Sequence, residues 1–184
     1  MDKIYIDANT LIRDTWHLAA KVVKSGWRPD LILALWRGGA LPGVALHEFL
    51  EFTGWDCDHL PLKCASYTGI GEAQEQVEFV LGDAVFQRIK RGAKILVVDD
   101  VLDSGRTAFA VRNKILSLGA QMRIACPYVK SAMHKFDCRA DYFVKDFIDR
   151  WIVFPHEICG LSANEVGEKD GVLMRALSEC KKFT

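Results

Sequence analysis

The sequence predicts an α/β domain built on a parallel sheet with helices on its faces. Short apolar runs of strand length alternate with segments whose apolar residues recur at helical spacing. The clearest run is apolar throughout instead of at every second position, which suits a strand covered on both sides. Polar, glycine-bearing loops follow two of the runs, and the order strand, loop, helix, strand implies parallel crossovers.

Taken in order, residues 8–25 carry Leu11, Ile12, Trp16, Ala19, Ala20 and Val23 at helical spacing, with Gly26 as the stop. "DLILALW" (30–36) reads as a buried strand. Glycines and a proline interrupt at 38–43, and "GVALHEFLEFTG" (43–54) regains the helical period. The stretch 64–82, "CASYTGIGEAQEQVEFVLG", is irregular and suggests an exposed hairpin or a mobile flap. "KILVV" (94–98) is a second strand and 99–105 a loop. Residues 106–118 form a helix with Val111, Ile115 and Leu118 on one face, closed by Gly119. "MRIACPYV" (122–129) and "DYFVKDF" (141–147) read as further strands.

The 184 residues suit one domain, 1–184, large enough to bury a core. Lysines and arginines (24) balance the acids (24), so any anion site must be local, and a nucleic-acid face is not expected. No apolar run reaches the ~20 residues that cross a bilayer. The opening "MDKIYIDANTLIRD" lacks a leader's layout, so a cytoplasmic address without membrane attachment is the expectation. Six cysteines offer no close C-x-x-C pair, and free thiols, mostly buried, are expected in preference to disulfides or zinc.

Two loops carry the chemistry. In "VVDDVLDSGRTA" (97–108), three acids crowd within five positions ahead of a helix. The start of that helix, Asp103-Ser104-Gly105-Arg106-Thr107, offers free N–H groups, hydroxyls and a glycine, which together make a phosphate cradle. An ordinary helix cap by Asp103 or Ser104 would need only one acid. Asp99 and Asp100 are left for a vicinal diol, or for a divalent cation bridging to one. A diol beside a phosphate describes a ribose phosphate. In "Trp36-Arg37-Gly38-Gly39-Ala40-Leu41-Pro42-Gly43", paired glycines and a fixed positive charge make a second anion loop. No Walker lysine or full G-x-G-x-x-G is present. Both loops follow strands, where open parallel sheets gather ligands.

These residues resemble the type I phosphoribosyltransferase family. "VVDDVLDSGRTA" is similar to its signature for phosphoribosyl pyrophosphate (PRPP), and "LALWRGGALPG" (33–43) to its pyrophosphate loop. "SY" (66–67), "VKS" (129–131) and "RWIVFPHE" (150–157) fall in the order of the 6-oxopurine (hypoxanthine, xanthine, guanine) branch. The resemblance implies a parallel-sheet fold with a hood from the N- and C-terminal segments and a mobile flap, about 64–82, opened by Ser66 and Tyr67. It implies that Asp99 and Asp100 hold the ribose hydroxyls and Mg²⁺, with Glu157 a candidate for a second metal. Asp103 to Thr107 would cradle the 5′-phosphate, and Arg37 to Gly39 the pyrophosphate. Asp103 would also be the general base for the purine's imidazole nitrogen. Lys130 would meet the exocyclic oxygen, and Trp151, with Ile152 beside it, would bind the base. The implied partners are PRPP, a purine base and further copies of the chain in a dimer or tetramer. Arg106, where the branch often has glycine or lysine, and "SAMHKFDCRADYF" (131–143) depart from the pattern. Transfer to another nucleobase, or a nucleotide-sensing regulator on the same fold, are the alternatives.

Overall fold

The computed structural model describes residues 3–67, 76–80, 82–133, 135–148 and 150–180. Two compact units form, one of residues 9–150 and one of residues 1–8 with 151–184.

The larger unit is a seven-stranded sheet with helices on both faces. After α1 (Ala8–Lys24) come β2 (Leu31–Trp36), α2 (Ala40–Phe52), β3 (Asp58–Tyr67) and β4 (Gln76–Val80). Then follow α3 (Gly82–Phe86), β5 (Lys94–Val98), β6 (Val101–Leu102), α4 (Arg106–Ser117), β7 (Gln121–Val129) and β8 (Tyr142–Asp146). The strands run β4-β3-β2-β5-β7, with β6 and β8 both paired to β7; only β3 and β4 are antiparallel.

The uninterrupted apolar runs have a direct cause. On β2 and β5, Ile32, Leu96 and Val98 pack into a core shared with Leu18 and Val22 of α1 and Leu46 and Leu50 of α2. Their neighbours Leu31, Leu33, Ile95 and Val97 point the other way, onto Phe86 of α3 and Val111 and Ile115 of α4. Each fully buried aliphatic side chain contributes about 1.5–3 kcal/mol by leaving water. An acid sits within this frame: Asp14 of α1 accepts from the Tyr128 hydroxyl at 2.8 Å and from Lys145 Nζ at 2.7 Å.

The smaller unit pairs β1 (Lys3–Tyr5) in parallel with β9 (Trp151–Val153). Helix α5 (Ala163–Lys169) opens with a Ser162–Glu165 capping box, and α6 (Gly171–Ser178) is capped by Asp170. Lys3 also pairs with Glu165; that bond first, and the capping bonds to Ser162 after it, hold the Glu165 carboxyl down at about 2.

Several elements differ from the sequence expectation. Helix α2 starts at Ala40, three residues early, because Pro42 fits a first turn, where its missing N–H costs nothing. Strand β3 reaches back to Asp58 across Pro61. At that residue only β2 lies alongside, so the absent donor leaves no bond unmade. The 99–105 loop contains β6, and β1, β9, α3, α5 and α6 were not expected. The two arms β3 and β4 pair antiparallel on either side of 68–75; those residues and 81, within the expected flap, lie outside the described residues. All six cysteines are free, three of them buried. Among the described residues no helix is long and apolar enough to cross a membrane.

Candidate functional site

The site grows from a notch in the sheet. β5 pairs with Gln121–Ala125 of β7, and β6 resumes on the same strand at Tyr128 and Val129 with the same offset. Asp99 and Asp100 fill the gap. The Asp99 N–H still donates to the Ala125 carbonyl at 3.2 Å, while the Asp100 N–H turns back onto Asp99 Oδ1 at 3.0 Å.

The first anion loop closes over this notch. The Trp36–Arg37 peptide is cis, and Arg37 is exposed. A Cβ on Gly39 would lie 2.2 Å from the Val98 carbonyl oxygen, so only glycine permits the approach. A Cβ on Gly38 would lie 2.4 Å from Asp100 Oδ1. The two loops therefore touch through Gly38 and Asp100, 62 positions apart in the sequence. Burial first, and the Asp100 charge second, push the Asp99 carboxyl well above the usual carboxylate range; backbone N–H groups of Asp100 and Gly39 pull against them.

The second loop leads into α4. Gly105 is the residue before the helix, with φ +81°, and no side chain caps it. The capping alternative for Asp103 or Ser104 is therefore not what forms: Ser104 Oγ only meets the Arg106 N–H at 3.4 Å. Beyond Arg106, no side chain among the described residues caps the first turn of α4, and its Thr107 and Ala108 N–H groups can meet a ligand. Helix α2 also begins at a glycine without a side-chain cap, but its Gly39 and Ala40 N–H groups donate to the Leu35 and Arg37 carbonyls at 2.8 and 3.1 Å. Asp99, Asp103, Ser104, Gly105, Arg106 and Thr107 share one cavity of about 90 Å³. Cys126 reaches it too; inside an apolar strand run it gave no signal, and burial pushes its thiol well up.

Residues 135–138, within the stretch that departs from the family pattern, lie behind this loop. Lys135 and Phe136 N–H groups donate to the Ser104 carbonyl at 3.0 and 3.3 Å. The Phe136 ring lies 5.7 Å from the Arg106 guanidinium, which gives Arg106 a packing partner. The Cys138 carbonyl sits 3.3 Å from where a Gly105 Cβ would be.

Lys130 follows from the ladder. Its N–H donates to the Leu102 carbonyl at 3.0 Å, the last bond beyond β6, so positions 103 and 130 come out side by side. Its side chain, on a residue only 8% exposed, reaches Asp103 Oδ2 at 2.8 Å, and the Asp103 side chain is 46% exposed. Sequence spacing gave no sign of this pairing.

Trp151 and Ile152 belong to the smaller unit. Trp151 is 54% exposed, and Ile152 is buried at 5%. The Glu157 carboxylate accepts the Phe154 N–H at 3.0 Å. Ser66 and Tyr67 are the last residues of β3.

A family model described as a phosphoribosyl transferase domain matches residues 3–161. Among curated proteins, none matches the chain. Among solved structures, the purine phosphoribosyltransferase from Pyrococcus horikoshii Ot3 is 28% identical over 88% of this chain and 99% of its own, with a TM-score of 0.68. A hypothetical protein from Neisseria gonorrhoeae with bound ppGpp is 24% identical over 95% and 97%, TM-score 0.75. The Helicobacter pylori xanthine-guanine-hypoxanthine phosphoribosyltransferase is 21% identical over 97% and 100%, TM-score 0.66. The last two likenesses speak to the fold alone.

Proposed function

The chain belongs to the phosphoribosyl transferase family, and from that premise we propose that it is a purine phosphoribosyltransferase acting on 6-oxopurines. It would transfer the 5-phosphoribosyl group of PRPP to hypoxanthine, guanine or xanthine, giving a nucleoside monophosphate and pyrophosphate. The observation that carries this reading is the contact of Gly38 with Asp100, which sets an anion loop against the acids that follow β5.

In this reading the open start of α4, with Ser104 and Thr107, takes the 5′-phosphate. Arg37, Gly38 and Gly39 take the pyrophosphate. Asp99 and Asp100 take the ribose hydroxyls. Two adjacent carboxylates, with Asp99 pushed up by burial and then by the charge of Asp100, also suit Mg²⁺. Mg²⁺, when bound, neutralises the leaving pyrophosphate. Asp103 accepts the proton from the purine's imidazole ring as the other ring nitrogen attacks the anomeric carbon. Trp151, Ile152 and Lys130 take the base, Ser66 and Tyr67 belong to the flap, and Glu157 is the candidate for a second metal. A dimer or tetramer is part of the same reading.

Pyrophosphate release from PRPP and Mg²⁺, measured across a panel of nucleobases, tests it. Release with hypoxanthine, guanine or xanthine is expected; release with adenine alone moves the reading to another base, and release with none overturns it. The gonococcal protein favours a second reading, a nucleotide-binding regulator on the same fold. Such a protein would bind PRPP or a nucleotide and release no pyrophosphate with any base.

A further inference from the structure

We propose that the Lys130–Asp103 ion pair links recognition of the base to release of the carboxylate that takes its proton, so that base choice is expressed in turnover. The proposal rests on the 6-oxopurine reading and deepens it.

Two of the groups assigned to the base, Lys130 and Asp103, are bound to each other at 2.8 Å. The lysine's backbone cannot follow a ligand: its N–H is held by Leu102, its carbonyl by Met133, and the next N–H by Asp146 Oδ1 at 3.2 Å. Any switch of partner must therefore be a swing of the side chain. A ring N–H arriving at Asp103 has to compete with an ammonium already seated on Oδ2.

Which bases can win that competition follows from donor and acceptor chemistry. A lysine ammonium has three donors and no acceptor. A 6-oxopurine presents a carbonyl oxygen, which can draw the ammonium off Asp103. A 6-aminopurine presents N–H donors at that position and cannot. With the oxopurine bound, the carboxylate is freed and the reaction balances. The bond from the anomeric carbon to pyrophosphate breaks, and its electron pair leaves with pyrophosphate. A ring-nitrogen lone pair forms the new C–N bond, and the imidazole proton passes to Asp103. With an aminopurine bound, the pair stays closed, and a carboxylate already neutralised by the ammonium on Oδ2 is the weaker acceptor for the proton.

Steady-state kinetics of wild type and Lys130→Met, with hypoxanthine and adenine, test this. The methionine keeps length and loses charge, so Asp103 is open to either base. The kcat ratio of hypoxanthine to adenine is expected to fall by about tenfold or more, a part of the about 10²–10⁴-fold that one general base supplies, with KM for PRPP within twofold. If only the KM for the base changes and the kcat ratio holds, Lys130 is a simple binding contact and the proposal is wrong. The lysine ammonium resonance of the wild type, identified by its loss in Lys130→Met and its shift in Asp103→Asn, gives a second measurement should the variant fold poorly. In the presence of Mg²⁺ and pyrophosphate, where no turnover occurs, hypoxanthine is expected to move it and adenine to leave it. Equal movement with both, or none with either, overturns the coupling. A wild type that turns over no base removes the function reading as well, whereas an active wild type with an unchanged kcat ratio removes the coupling alone.

Discussion

Asp99 is held by backbone N–H groups and pressed by the charge of Asp100, whereas Asp103, four positions along the same loop, faces the ammonium of Lys130. Residue type is the same and the chain distance is small. What differs is the ladder. Asp99 falls where β5 has just stopped and β6 has not begun, so its neighbours are the turn itself and the Gly38–Gly39 loop. Asp103 falls after β6 has re-engaged β7, so its neighbour is the residue that β7 delivers next. An acid surrounded by repulsion suits a cation or a diol. An acid already matched by a lysine suits a proton passed on demand.

The largest effect that would break this contrast comes from Asp103→Asn, which keeps shape and removes the proton acceptor. We expect kcat to fall by about 10²–10⁴, with KM for PRPP changing far less, in single-base steady-state assays. Should Asp99→Asn instead give that signature, the roles are reversed. For Asp99→Asn the expected loss is in PRPP use, about 10–100-fold in kcat/KM, equivalent to about 1.4–2.7 kcal/mol.

Asp99→Asn also has a stability signature with a definite sign. Because the folded chain holds the Asp99 proton more tightly than the unfolded chain does, folding takes up a proton. The ligand-free protein therefore loses stability as pH climbs from the ordinary carboxylate range up through that of Asp99. The asparagine variant should lack that decline and be the more stable protein at neutral pH, measured by thermal melts against pH. A steeper decline in the variant would contradict the origin assigned to the shift.

The two glycines sharpen the picture at smaller scale. Gly39→Ala drives a methyl into the Val98 and Leu35 carbonyls, which are backbone and cannot yield. Overpacking of this kind costs about 1–3 kcal/mol, or roughly 2–4 °C of melting temperature per kcal/mol at this chain length. Gly38→Ala meets only the end of the Asp100 side chain, which can turn aside. Its melting temperature should stay near wild type while PRPP affinity weakens. Smallest of all is Arg106→Ala, which removes the contact with Phe136 and should cost about 0.5–1 kcal/mol of stability. A larger loss in kcat/KM than in stability would show that Arg106 also reaches the phosphate.

Much of this was legible in the residues. "LILALW" and "KILVV" announce strands covered on both sides, and the helices 8–25 and 106–118 carry their period openly. The acids and glycines of the two loops stand out because their chemistry is local. What was hidden depends on partners far away in the chain. β1 is three residues long and exists by pairing with β9, 148 positions further along the chain. β6 is two residues inside a polar loop and is a strand only because β7 passes beside it. The Lys130–Asp103 pair and the Asp14–Tyr128–Lys145 cluster are likewise products of register and helix docking, which no spacing rule reports. Pro61 actively misleads, since a proline argues against a strand until the missing neighbour is known.

The unchanged offset of β5 and β6 against β7 carries a consequence for how this region can vary. A segment fastened at both ends to one neighbour has no slack. Its side chains can be exchanged, but gaining or losing a single residue between Val98 and Val101 would rotate everything downstream by half a pleat, turning Leu102 outward and swinging Asp103 away from its partner. The length of that short span is thus under a stricter mechanical constraint than its composition.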